Sequence, residues 1–141
     1  MAITQKKIIC VDDNLTNLTA LKNIFKDLYE VYTASSAAKM FELLTKIQPD
    51  LILLDVEMPE LSGYEAAKLL KNNVEYKDFP IIFVTSKNDP ASEMEGLALG
   101  AVDYIYKPYA VQLLRKRIEM HMSLAEHKKE LQELNASMQK K

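Results

Sequence analysis

The chain has 141 residues, 48% of them hydrophobic and 27% charged, the composition of one ordinary globular domain. Its 18 Lys and Arg stand against 20 Asp and Glu, and a net charge of −2 gives no case for nucleic-acid or membrane-surface binding. The one cysteine, Cys10, excludes an internal disulfide and a cysteine-based zinc site. A reducing cytoplasm is therefore expected, because Met1–Lys7 also lacks the apolar segment of a secretory signal.

In chain order, Ile8-Ile9-Cys10-Val11 is a continuous apolar run, the pattern of a strand buried on both faces of a parallel sheet. It ends abruptly in Asp12-Asp13. A helix is expected over Asn14–Leu28, with Leu15, Leu18, Leu21, Ile24, Phe25 and Leu28 at helical spacing. Glu30–Ala34 is a more polar strand suited to an edge, and Ser36–Ile47 carries Ala37, Met40, Phe41 and Leu44 on a second helix. The second buried run, Leu51–Leu54, ends at Asp55. Ser62-Gly63-Tyr64-Glu65 then has the spacing of a capping box. A third buried run, Ile81–Val84, ends in Thr85-Ser86, and Asp89-Pro90 sets a cap before a first-turn proline. Gly100 stops the fourth helix, and Asp103–Tyr106 makes a second edge strand before Lys107.

The character changes from Ala110 onward, where seven Lys and Arg outnumber four Asp and Glu. Val111, Leu114, Ile118 and Met122 form one apolar stripe; Leu124, Leu131, Leu134 and Met138 form another at heptad spacing, with His127 as the odd residue. The expected division is a domain over 1–122 and a helical extension over 123–141. That extension admits two readings, a solvated helix or a parallel homodimer seam leading to an output domain. Cys10 reads as a small core residue, His121 and His127 as solvated, and the seven methionines as core filler.

Five strands alternating with five helices make an α/β domain with a parallel sheet. With the continuous runs inside and the polar ones at the edges, the strand order is 2-1-3-4-5. Helices cover both faces in a flavodoxin-like arrangement, with an extended C-terminal helix. Such a sheet binds its ligand beyond the carboxyl ends of its strands, where the first and third diverge. That rim gathers Asp12, Asp13, Asp55, Thr85 and Lys107. Three carboxylates there repel one another and titrate as a coupled group. Mg²⁺ relieves that repulsion, since it takes oxygen ligands from one or two carboxylates and a phosphate. A carboxylate beside Mg²⁺ and a lysine can attack a phosphoryl group and form an aspartyl phosphate.

These residues match a known pattern: Asp12-Asp13 after the first strand, Asp55-Val56-Glu57-Met58-Pro59 followed by Gly63, Thr85 ending the fourth strand, and Lys107-Pro108 after the fifth. In this the chain resembles the receiver (phosphoacceptor) domain of two-component response regulators, over residues 5–122. The resemblance implies that Asp55 is phosphorylated by a phosphohistidine on a sensor kinase or phosphotransfer protein. It implies that Asp13, Asp55 and the Glu57 backbone carbonyl bind Mg²⁺, with Asp12 acting directly or through water. Lys107 would pair with the phosphoryl group or with Asp55. Thr85 and Tyr104 would be a switch pair, the hydroxyl moving toward the phosphate as the ring turns inward. It also implies a cis bond before Pro108.

Two positions depart from the commonest form: Ser86 stands where alanine is frequent, and Glu57 occupies a variable position. Glu57 and Lys87 are expected to pair across the mouth of the site as a lid. The chain itself is read as a signalling phosphoacceptor rather than an enzyme. The competing reading is a haloacid-dehalogenase-like phosphatase, which wants Asp rather than Glu57 and an acidic pair after the lysine. A flavin-binding protein would need a phosphate-cradling loop after the first strand, which Asp12-Asp13 do not supply. The resemblance names no output; the helical pattern running to Lys141 favours the front end of a longer protein over a stand-alone receiver.

Overall fold

Five strands and five helices alternate along the computed structural model, which describes residues 5–139. They are β1 (Lys7–Val11), α1 (Leu15–Phe25), β2 (Glu30–Ala34), α2 (Ala37–Leu44) and β3 (Leu51–Leu54), then α3 (Gly63–Lys71), β4 (Ile81–Thr85), α4 (Pro90–Ala98), β5 (Asp103–Tyr106) and α5 (Val111–Gln139). All strand pairs are parallel and the order is β2-β1-β3-β4-β5, as the burial pattern of the sequence requires. Every residue of β3 and β4 is buried, whereas β2 and β5 each expose residues at the sheet edges. The three continuous apolar runs are therefore the interior strands.

Successive strand residues point to opposite faces. On one face Ile9, Val11, Ile52, Leu54, Ile81 and Phe83 share a core with residues of α2 and α3. The alternate residues, among them Ile8, Cys10, Leu51, Leu53 and Ile82, are equally buried on the other face. There α1 lies against β1 and β2 and buries Leu18, Leu21 and Phe25. Helices thus cover both faces. Burial pushes the Cys10 thiol up to about 12, which keeps it a neutral core residue.

The helix starts follow their caps. Asn14, Ser36, Ser62 and Asp89 each accept a backbone N–H from the first turn that follows. Ser62 and Glu65 complete the capping box, and Pro90 occupies the first helical position of α4. Past the C-cap Leu99, Gly100 has φ of 99°, a left-handed conformation that favours glycine. The peptide bond before Pro108 is cis.

Helix ends differ more from the sequence pattern. Helix α1 stops at Phe25 rather than Leu28, because Leu28 and Tyr29 fold their N–H groups back onto the Phe25 carbonyl. Leu28 is consequently exposed, and so is Leu15, whose first-turn position lies beyond the end of β1. Helix α2 stops at Leu44, short of Ile47, where the Thr45 hydroxyl and N–H both bond to the Glu42 carbonyl.

Two compact units divide the chain at Tyr109 and Ala110. Within the second, Leu114, Ile118 and Met122 of α5 are buried, and burial ends at Met122. Val111, in the first turn, is exposed instead, and His121 is half-buried while His127 is exposed. The heptad residues Leu124, Leu131, Leu134 and Met138 are all more than half exposed, at 55%, 60%, 57% and 62%. Among the described residues only Met40 and Met122 are core methionines, with Met58 packed at the core's edge, while Met94, Met120 and Met138 are exposed on α4 and α5; Met1 lies outside the described residues, so the reading of the methionines as core filler holds only in part.

The start of α3 is the tightest point of the fold. A Cβ on Gly63 would run into the Asp55 carbonyl oxygen and stand 2.8 Å from Val56 Cα. Gly63→Ala is therefore expected to destabilise the chain by about 1–3 kcal/mol through overpacking. Ser62→Ala, which removes only a cap, is expected to cost about 1 kcal/mol. Urea unfolding of both variants checks the ranking; a Gly63→Ala chain as stable as native means that the loop yields freely.

Candidate functional site

Asp12, Asp55 and Lys107 each sit just past the strand that delivers them, held by backbone bonds that continue the ladder, while Thr85 is the last residue of β4. Asp12 N–H donates to the Ala34 carbonyl at 3.1 Å, Asp55 N–H to Val11 at 3.0 Å, and Lys107 N–H to Thr85 at 2.8 Å. These bonds fix the Cα positions of three charged residues before any side-chain contact forms. The result is a single charged cluster at the point where β1 and β3 part.

Lys107 stands at its centre. Its ammonium donates to Asp12 Oδ2 at 2.6 Å and to Asp55 Oδ2 at 3.1 Å. Asp12 also accepts from Asn14 N–H at 2.9 Å and from the Asn17 amide at 3.2 Å. Asp55 has one further donor, Glu57 N–H at 3.2 Å to Oδ1. Capping of α1 falls to Asn14, so neither Asp12 nor Asp13 is the N-cap. Asp12 and Asp55 are buried while Asp13 is exposed, and one carboxylate oxygen from each lies within 4.8 Å of the others. Three anionic oxygens so close, with one on the solvent side, are a donor set suited to a hard divalent cation such as Mg²⁺.

Burial lifts the Asp55 carboxyl above its ordinary range; Lys107 opposes that lift and the Asp12 charge adds to it. Burial works against the Lys107 ammonium, but the hydrogen bonds it donates to Asp12 and Asp55 outweigh it and hold Lys107 above the usual lysine value. Lys107 is thus a permanent cation.

Thr85 is fully buried, and its hydroxyl accepts Lys87 N–H at 3.2 Å rather than bonding to a carboxylate. Tyr104 is turned inward, with its hydroxyl donating to the Lys87 carbonyl at 2.8 Å. The two residues therefore meet on the main chain of Lys87, a position where the sequence had pointed only to the side chain. Tyr64 was also missed. It read as part of a capping box, yet its buried hydroxyl lies 3.2 Å from that of Tyr104.

Glu57 and Lys87 line one cavity of about 480 Å³ together with Asp13, Ser62, Tyr64 and Glu95. The expected lid is not formed, for the two charges do not approach to ion-pair distance. Asp89, the N-cap of α4, is held below the usual carboxylate range first by its hydrogen bonds with Ser92, with the Lys87 charge adding least. Among the described residues, no helix is long and apolar enough to cross a membrane.

The family model of the response regulator receiver domain matches residues 8–119. The probable cyclic di-GMP phosphodiesterase of Vibrio cholerae is 38% identical over 120 residues, which are 85% of this chain and 27% of that protein. The alkaline phosphatase synthesis transcriptional regulatory protein PhoP of Bacillus subtilis is 36% identical over 115 residues, 81% of this chain and 47% of that protein. The solved structure of chemotaxis protein CheY4 of Vibrio cholerae superposes with a TM-score of 0.78 at 30% identity, covering 83% of this chain and 98% of that one. The chain spans 27% and 47% of the length of these two curated relatives. The phosphatase reading gains no support from these matches.

Because Asp55 titrates higher folded than unfolded, its ionisation weakens the fold. Its favourable contribution is complete below the ordinary Asp value, about 3.9, and is lost as pH rises through the raised folded value. Asp55→Asn cannot ionise, so in metal-free buffer it is expected to be more stable than native at neutral pH. The advantage should vanish in acid. Urea midpoints across the pH range check this; a variant less stable than native at neutral pH contradicts it.

Proposed function

The chain belongs to the response regulator receiver domain family, and from that premise we propose that Asp55 is its phosphoacceptor. The observation that carries the reading is the Lys107 ammonium shared by Asp12 and Asp55 beside the exposed Asp13. On this reading Asp12, Asp13, Asp55 and the Glu57 backbone carbonyl hold Mg²⁺. The ion supplies positive charge to the carboxylates and to the incoming phosphoryl oxygens.

The residues of the chain perform the rest. An Asp55 carboxylate oxygen bonds to phosphorus as the phosphorus–nitrogen bond of a phosphohistidine breaks, and that electron pair returns to the imidazole. Lys107 remains charged throughout and neutralises a phosphoryl oxygen, a role suited to its position between two acids. Asp12 stays fixed by Asn14 and Asn17 and so keeps its oxygens oriented. The Thr85 hydroxyl leaves Lys87 N–H for the new phosphoryl group; the Tyr104 ring, expected to turn inward at that step, is already inward here, so the change it passes on is that of the Lys87 main chain before α4. The chain takes part in its own phosphorylation without turning over an external substrate, and the donor is a histidine kinase or phosphotransfer protein of the cytoplasm.

Residues 1–122 act as the receiver, and 123–141 serve as a linker toward an output domain. The relatives are longer than this chain, and the apolar residues past Met122 are exposed at heptad spacing. Those residues are suited to a parallel homodimer seam.

Acetyl phosphate with Mg²⁺ is expected to add one phosphoryl group, visible by mass spectrometry, and Asp55→Ala to abolish it. Asp13→Ala should raise the Mg²⁺ concentration needed. Labelling that persists in Asp55→Ala removes the assignment. For the seam, sedimentation of the full chain is expected to show a dimer that a version ending at Leu124 does not form. Two monomers at micromolar concentration exclude the seam as an interface on its own.

A further inference from the structure

Behind the rim, Tyr104 rests in a cage that the phosphoryl chemistry does not use. Its ring centroid lies 5.9 Å from that of Phe83 and 5.7 Å from that of Tyr106. Gly96, in the last turn of α4, makes the seat: a Cβ there would stand 3.0 Å from two ring carbons of Tyr104. Glycine is a poor helix former, and the space it leaves for the ring explains it at this position. Tyr64 closes the cage, its ring edge-on to Phe83 at 5.1 Å. The Tyr64 hydroxyl donates to the Ser92 carbonyl in the first turn of α4 and lies 3.2 Å from the Tyr104 hydroxyl.

A phenol has one proton and can accept at its oxygen. With the Tyr64 proton on Ser92, the one Tyr104 proton is shared between the Lys87 carbonyl at 2.8 Å and the Tyr64 oxygen at 3.2 Å, a three-centre bond. Tyr104 therefore already has a second acceptor beside it. If the Lys87 carbonyl moves away, the Tyr104 proton can turn to the Tyr64 oxygen while the ring stays inside. Burial raises both tyrosines above their ordinary value, so both protons are retained at neutral pH.

We propose that Tyr64 is a positioning residue that keeps Tyr104 inward, offering it a second acceptor and tying down the first turn of α4 through Ser92. The tie is mounted on the phosphoacceptor's own loop. Tyr64 follows Gly63, whose N–H donates to the Val56 carbonyl at 2.8 Å. The inference deepens the reading of Tyr104 as a switch and rests on it for the consequence of the ring's position.

Tyrosine-ring NMR and amide hydrogen exchange on the full, unphosphorylated chain provide the test. Tyr64→Phe keeps the ring on Phe83 and removes only the oxygen. The α4 amides are expected to exchange about tenfold faster, the size of one lost buried hydrogen bond. Tyr104 ring signals should move toward those of an exposed tyrosine. Gly96→Ala should move the same signals by filling the seat, although alanine is the better helix former. Amides of β1 and β3 serve as the control for global stability. Native-like Tyr104 signals in Tyr64→Phe overturn the proposal, as does exchange that rises equally in α4 and β3. Neither readout needs phosphate on Asp55, so failure of the phosphoacceptor reading shows separately, as no phosphate uptake by the native chain.

Discussion

The rim is organised by one ammonium group between two buried carboxylates. Burying three charges is costly unless each is paired and hydrogen-bonded. Lys107 meets that condition unequally, reaching Asp12 at 2.6 Å and Asp55 at 3.1 Å. Asp12 has two further donors, Asn14 N–H and the Asn17 amide, while Asp55 has only Glu57 N–H. Burial lifts Asp55, the acid with fewer donors, above its ordinary value. This asymmetry separates the roles: Asp12 is a fixed element of the site, and Asp55 keeps the oxygen capacity a nucleophile needs. Removing Lys107 would take from both buried acids the ammonium they share.

The backbone supplies the precision that flexible side chains lack. Asp12, Asp55 and Lys107 each follow the last residue of a strand, and ladder-type bonds reach one residue further to hold them. Gly63 performs the equivalent task at α3, where only a missing Cβ lets the helix start against the Asp55 carbonyl. A site built this way is set when the sheet forms. Its chemistry then depends on charge balance rather than on ordering a loop.

How much of this was legible in the sequence follows from where the information lies. Ile8–Val11, Leu51–Leu54 and Ile81–Val84 were readable because a strand covered on both faces has no polar position to interrupt it. Helix starts were readable because Ser62 and Asp89 satisfy local N–H groups with their own side chains. Helix ends were not: at Phe25 and Leu44 the chain turns through backbone and Thr45 contacts that leave the apolar spacing undisturbed. The charged rim was readable because strand order brings strand ends together. The Tyr64–Tyr104 contact was not, since it joins residues 40 positions apart through hydroxyls. The expected Glu57–Lys87 pair failed for a related reason: spacing assigns a residue to a loop without fixing its side chain's direction.

Lys87 nevertheless matters, through its main chain. Its N–H is held by Thr85 and its carbonyl by Tyr104, so only the φ and ψ of one residue separate the two contacts. If the Thr85 hydroxyl turns to a phosphoryl group on Asp55, that N–H loses its acceptor and the loop before α4 must readjust. The Lys87 carbonyl can then leave Tyr104 without releasing the ring, because Phe83 and Gly96 still enclose it and the Tyr64 oxygen remains within reach. Two connections thus run from Asp55 to α4, one through Thr85 and Lys87 and one through Gly63, Tyr64 and Ser92. Contiguity alone does not make them coupled. What makes coupling physically available is that both end on the same tyrosine and helix turn, where two phenol protons have more than one arrangement of acceptors.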